Sequence, residues 1–248
     1  FRGDLSLMPN NHRQLHWAQV KLYGWLLCQS HGLSEVRLAL VYFDIVSHKE
    51  SMLSELFSAE ARRQYFERQC DCFLAWAEQE LEHRARRDRA LAGLRFPHAE
   101  FRAGQRSLAE AVYKAASTGR CLMIQAPTGI GKTLGSLFPM LKAFPSKQLD
   151  KLFFLTAKTP GRQLALEALR TLSQHDKAGT ALPLRVLELV ARDKACEHPD
   201  KACHGEACPL VSGFYDRLPA ARQAAADAGT LDQATLREVA LKHAVCPY

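Results

Sequence analysis

Two stretches of the 248-residue sequence hold side chains whose types and spacing could do chemistry. The first is QAPTGIGKT, residues 125–133. Gly129 and Gly131 allow a tight turn in which successive backbone N–H groups point inward, and the apolar helix that follows adds its positive end there. This is a Walker A pattern, with Thr128 in the loop. The Lys132 ammonium suits the β- and γ-phosphates of a nucleotide and the Thr133 hydroxyl suits Mg²⁺, so ATP and Mg²⁺ are the expected ligands. Ala126 stands where the usual pattern has its first glycine.

The second stretch is CEHPDKACHGEACP, residues 196–209, which spaces Cys196, Cys203 and Cys208 as C-x6-C-x4-C; Cys246 follows in the terminal CPY. Structural zinc sites usually contain tighter knuckles, although His198 and His204 are available as ligands. Loosely spaced thiolates suit an iron–sulfur cluster, with zinc as the alternative. The remaining cysteines, Cys28, Cys70, Cys72 and Cys121, are scattered, and Cys70 and Cys72 read as small side chains on a helix.

These residues need elements to hold them. HRQLHWAQVKLYGWLL spaces Leu15, Ala18, Leu22 and Trp25 at helical intervals and is followed by Gly32. EVRLALVYFDIV is rich in β-branched and aromatic residues and carries apolar side chains on both faces, as a buried strand does. From Ser58 a long helix places Phe66, Cys70, Phe73, Ala77 and Leu81 every three or four residues. Gly93, Pro97 and Gly104 then break the rhythm, and the domain boundary is placed there. Beyond it comes an alternation: a helix over about 105–118, strand RCLMIQA, a helix, strand KLFFLTA, helix GRQLALEALRTL, and strand LRVLELV. That order predicts an α/β domain with a parallel sheet and right-handed crossovers.

At the turn after the second of these strands stands LTAKTPGR, with Thr156, Lys158, Thr159 and Arg162. Hydroxyls, cations and free backbone N–H groups at a strand-to-helix turn can hold a phosphodiester backbone without reading its bases. A net charge of +7 and a pI near 9.0 suit a polyanionic partner. No apolar run approaches the roughly 18 residues that span a bilayer, and no signal peptide is visible, so no membrane partner is expected. The first residue is Phe1 rather than Met, and the chain reads as a piece of a longer protein.

Taken in order, QAPTGIGKT, LTAKTPGR, the stretch from ARDKACEHP to FYDRLPAA, and the final CPY resemble the first motor domain of the iron–sulfur helicases of the XPD/DinG family. The A-x-T-G-x-G-K-T form of the loop is that of superfamily 2 helicases. The resemblance covers roughly residues 96–248. It implies a RecA-like, parallel-sheet motor domain with a helical iron–sulfur insertion, and ATP-dependent 5′ to 3′ movement on single-stranded DNA with unwinding of duplexes and forks. It also implies a 4Fe-4S cluster on Cys196, Cys203, Cys208 and Cys246, and a glutamine, Gln105 of FRAGQ, that reads the adenine. A role in DNA repair or recombination in the bacterial cytoplasm, at the nucleoid, goes with it.

The first ninety-five residues contain Q-x-x-x-Y, Gln19 and Tyr23, with Lys21 between them and a strand after. This resembles the C-terminal part of a RecB-like PD-(D/E)xK nuclease domain. The metal-binding Asp and E-x-K of such nucleases come before that helix and have no counterpart here; Asp4 is out of place and Asp44 reads as a strand-end residue. The expected organisation is thus 1–95, the end of a nuclease-like α/β domain; 96–190, the first half of a motor domain with its P-loop; and 191–248, an incomplete cluster domain. The sequence shows no Walker B carboxylate or second motor domain, so this chain is expected to bind nucleotide and single-stranded DNA weakly and not to unwind. Two other readings stand beside it: a zinc-binding nucleic-acid module, and a metal-dependent nuclease with an accessory ATPase.

Overall fold

The computed structural model describes residues 5, 8, 10–157, 159–174, 181–205 and 207–248, with backbone alone at 10, 11 and 159. The chain divides into two compact units, Phe1–Glu80 and Leu81–Tyr248.

In the first unit, helix α1 (Asn10–His31) packs on a hairpin of β1 (Glu35–Phe43) and β2 (Glu50–Ser58), antiparallel with Glu35 opposite Ser58 and Phe43 opposite Glu50. Val36, Leu38, Leu40 and Tyr42 of β1 are buried with Trp17 and Cys28 of α1. Burial alternates strictly along β1, and Val41 and Phe43 are exposed. The expectation of a strand buried on both faces is therefore corrected. A strand with one neighbour and one helix on it buries one face only. β2 went unseen in the sequence because its polar and apolar residues do not alternate, and most of it is exposed. Asp44 closes the hairpin: its carboxylate accepts from the N–H groups of Val46 and Ser47.

Helix α2 (Ala59–Gly93) runs from the first unit into the second. Ser58 accepts from the Ala61 N–H at its start. Its last turns belong to the second unit: Leu91 and Leu94 share a core with Leu141, Phe144, Leu172 and Leu182. Arg87 is buried, lies 5.1 Å from the Phe144 ring centre, and donates to the Leu149 and Asp150 carbonyls. Lys142 in turn donates to the Ala92 and Leu94 carbonyls and so satisfies the helix end. The division between units falls at Glu80, inside α2, because the apolar residues after it have this core to join.

The rest of the second unit comprises α3 (Gln105–Thr118), α4 (Lys132–Lys147), α5 (Thr159–Gln174), β3 (Val186–Leu187), the single turn α6 (Arg192–Ala195), α7 (Phe214–Ala228), β4 (Thr230–Leu231) and α8 (Gln233–Lys242). The fold is mixed α/β and mostly helical. Helices α3, α4 and α5 fall where the sequence places them, and α3 ends at Gly119. The three-stranded parallel sheet expected from RCLMIQA, KLFFLTA and LRVLELV does not form among the described residues. The first two segments have no ladder partner, and the third contributes only β3, paired in parallel with β4. A strand exists by virtue of its neighbours. Without them, Met123, Phe153 and Leu155 are 97%, 71% and 89% exposed.

Candidate nucleotide-binding site

The glycine-containing loop joins the 120–127 segment to α4. Gly129 and Gly131 have φ values of 87° and 83°, the left-handed region that other residues enter at a cost. Gly131 is the N-cap of α4 and offers no side chain to its first N–H groups, which are left for a ligand. A Cβ at Gly131 would also overlap the Gln105 amide nitrogen. Lys132 is exposed, and its Nζ donates to the Ala126 and Pro127 carbonyls at 3.1 and 2.8 Å, so the ammonium folds back across the loop. Thr133 is half-buried in the first turn beside it, and Thr128 is exposed. Backbone donors, a helix N-terminus and a cation on a long stem thus lie at one loop, an arrangement suited to a polyphosphate.

Gln105, the expected adenine reader, lies against the loop. It is buried; its Oε1 accepts from the Arg102 N–H at 3.1 Å and its Nε2 donates to the Gly131 carbonyl at 3.1 Å. The carboxamide braces the loop. Arg102, missed in the sequence, donates from Nη1 to the Gly129 carbonyl at 2.7 Å. The FRAGQ segment therefore grips both loop glycines, and the signal for it was there: an arginine three residues before the glutamine.

A larger cleft lies elsewhere. It holds about 950 Å³ among residues 188–190, α6 and α8, whereas a cleft of about 420 Å³ beside Lys132 is walled mostly by apolar residues such as Leu108, Val112, Leu122 and Ile124. Size does not decide the matter, because the larger one lacks the convergent backbone donors that the loop supplies.

A protein-family model, DEAD/DEAH box helicase, matches residues 104–231, just over half of the chain. The chain belongs to the DEAD/DEAH box helicase family. The matched span of this helicase domain opens at Gly104, beside Gln105, and contains the whole phosphate loop. Membership implies an ATP-dependent helicase or ATPase that acts on nucleic acid, with ATP and Mg²⁺ as its usual ligands. No curated protein and no solved structure matches the chain. No described helix is long and apolar enough to cross a membrane.

Within the helicase domain, the LTAKTPGR turn leads into α5 as expected. Lys158 and the Thr159 side chain lie outside the described residues. Thr156 is half-buried and packs close to Gly161. Arg162 is engaged: its Nε stands 3.5 Å from Glu188 Oε1, with the two side chains 20% and 4% exposed. Glu188 Oε2 accepts from the Gln233 N–H at 3.0 Å, while Oε1 has the ion pair but no hydrogen bond.

The cysteines are all free. Cys208 is buried, Cys196 and Cys246 are half-buried, and Cys203 is exposed. Arginines tie their segments together. Arg217 of α7 donates to the Ala244 carbonyl at 3.0 Å and the Pro209 carbonyl at 3.3 Å, linking the neighbours of Cys246 and Cys208. A side chain at Gly213 would crowd that guanidinium. Arg237 of α8 pairs with Glu197, next to Cys196, and its two hydrogen bonds hold the Glu197 carboxyl below the usual carboxylate range. Even so, among the described residues no three His, Cys, Asp or Glu side chains lie close enough to hold a metal, so the thiols as placed do not form a ligand set. In the first unit, Gln19 Nε2 donates to the Tyr23 hydroxyl at 3.2 Å on the exposed face of α1.

Proposed function

We propose that this chain carries the ATP-binding part of the first motor domain of a DNA helicase, one that couples ATP hydrolysis to 5′ to 3′ movement on single-stranded DNA. The observation that carries it is the loop, with Lys132 and the uncapped start of α4 behind Gly129 and Gly131. A triphosphate entering there exchanges two carbonyl acceptors of Lys132 for phosphate oxygens, which are charged and bind the ammonium more strongly. The N–H groups at the start of α4 take the remaining oxygens, and the Thr133 hydroxyl would hold Mg²⁺, whose charge offsets that developing on the transferred phosphoryl group. Gln105 and Arg102 keep the loop shaped for this from behind. The nucleic-acid contacts are assigned to Thr156 and Lys158, ahead of α5, and to Thr159 and Arg162 in its first turn.

The exposed apolar segments 120–127 and 151–156 support a RecA-like sheet completed by further strands. The reading of Cys196, Cys203, Cys208 and Cys246 as ligands of a 4Fe-4S cluster rests on four free thiols and on the arginine ties between their segments; the thiols have to close up to ligate. The reading of the first ninety-five residues as the end of a nuclease-like domain rests on the Gln19–Tyr23 pair.

Replacing Lys132 with Ala in the full-length enzyme is expected to abolish ATP-dependent unwinding of forked DNA. Unwinding at an undiminished rate would refute the motor assignment. An iron and acid-labile sulfide assay on anaerobically purified protein tests the cysteines separately. Stoichiometric zinc without sulfide would replace the cluster by a zinc site.

A further inference from the structure

The segment that leads into α5 carries cations without an acid. Between residues 151 and 166 the sequence has Lys151, Lys158 and Arg162 and no Asp or Glu. The carboxylate paired with Arg162 comes from elsewhere in the chain. Glu188, the residue after β3, has its Oε1 3.5 Å from the Arg162 Nε.

The two partners are held unequally. Glu188 is fixed: its N–H donates to the Leu231 carbonyl at 2.9 Å, its Oε2 accepts from the Gln233 N–H at 3.0 Å, and its side chain is 4% exposed. Arg162 is looser. No hydrogen bond joins its guanidinium to Oε1, its side chain keeps 20% of its surface in solvent, and none of its nitrogens is both buried and unpaired. An ion pair at that distance, without a hydrogen bond, is weaker than the charge-assisted bonds of about 2.7–2.9 Å that a guanidinium makes to a phosphate, which also presents two oxygens side by side. Arg162 can therefore exchange one acceptor for a better one at its solvent edge. What opposes the exchange is Glu188, a buried carboxylate left without its counter-charge once Arg162 turns away.

We propose that Glu188 makes an autoinhibitory contact: it occupies Arg162 in place of a nucleic-acid phosphate, and the stranding of its carboxylate lowers the affinity of a strand that arrives at the start of α5. This rests on the assignment of Arg162 to the strand. A phosphate is the natural competitor because the charge of the segment itself, three cations and no acid from residue 151 to residue 166, suits a phosphodiester backbone. Replacing the Glu188 carboxylate by an amide keeps an acceptor for the Gln233 N–H and removes the competing charge.

The test measures binding of a fluorescent oligothymidylate to the 248-residue chain for the parent, Glu188→Gln, Arg162→Gln and the double variant, with melting temperatures alongside. Glu188→Gln is expected to bind several-fold more tightly than the parent. The double variant is expected to lose that gain and bind no more tightly than Arg162→Gln, which separates release of Arg162 from a change in net charge. Arg162→Gln strands the buried carboxylate and is the variant at risk of unfolding. The comparison of Glu188→Gln with the double variant does not depend on it, because neither carries that charge. A folded Glu188→Gln that binds as the parent does, while loss of Arg162 still weakens binding, overturns the autoinhibition and leaves the strand contact standing. A gain that survives in the double variant overturns it as well. If neither substitution alters binding, the assignment of Arg162 to the strand falls first and the autoinhibition with it. A parent and a Glu188→Gln chain that both bind no oligonucleotide remove both.

Discussion

The Gln105 amide donates to the carbonyl of Gly131 across 3.1 Å, and this bond fixes the start of α3 to the phosphate loop. The glutamine acts through the loop, so its removal is expected to weaken nucleotide binding without regard to the base. Gln105→Ala leaves a loop carbonyl without its donor, a loss of about 1–3 kcal/mol, or roughly five- to 150-fold if it falls wholly on affinity. Titration with ATP and GTP side by side checks this. Equal losses fit the brace alone, and a loss confined to ATP fits an adenine reader.

Arg162 and Glu188 give a second separation of roles. With Glu188 buried and paired, Arg162→Ala strands a carboxylate and is expected to destabilise the chain by about 1–3 kcal/mol. Adding Glu188→Gln should recover much of that loss, since a neutral amide needs no counter-charge. Urea melts of the single and double variants provide the measurement. Unaltered stability would refute the pairing, and unaltered oligonucleotide binding would refute the assignment of Arg162 to the strand.

Much of this was legible in the residues, and the failures share a cause. Helices α1 to α5 could be placed because their periodicity and boundary glycines are local, and the loop because its glycines, lysine and threonine are contiguous. The strands were harder. Residues 120–126 and 151–157 have strand composition, but pairing is a property of neighbours that composition does not supply. The partners of Gln105 and Arg162 were not legible for a related reason: a side chain's partner, 26 residues away in the case of Gly131, is set by packing.

Asp232 makes the end of the chain sensitive to acid. It caps α8, accepting from the Thr235 N–H and hydroxyl at 3.0 and 2.9 Å, with Arg170 at 3.4 Å. Those bonds, the backbone one foremost, hold its carboxyl below the ordinary aspartate range. A depressed pKa contributes stability in full above the unfolded value of about 3.9, and loses it as pH falls through the lower folded value. Asp232→Ala is expected to cost about 1 kcal/mol at neutral pH. Asp232→Asn should keep most of the cap yet flatten the acid limb of the stability curve. Denaturant melts at pH 7 and pH 3 distinguish the two, and a variant limb as steep as the parent's would assign the acid sensitivity to other groups.

The central claim is that the loop from Ala126 to Thr133 binds the triphosphate through Lys132 and the start of α4. Calorimetric titration of the 248-residue chain with Mg·ATP, beside Lys132→Ala, tests it most directly. The expected result is saturable one-site binding that falls at least tenfold in the variant while its melting temperature holds, because Lys132 is exposed and leaves no buried group unpaired. Binding of equal strength in both proteins, or none in the folded parent, would contradict the account.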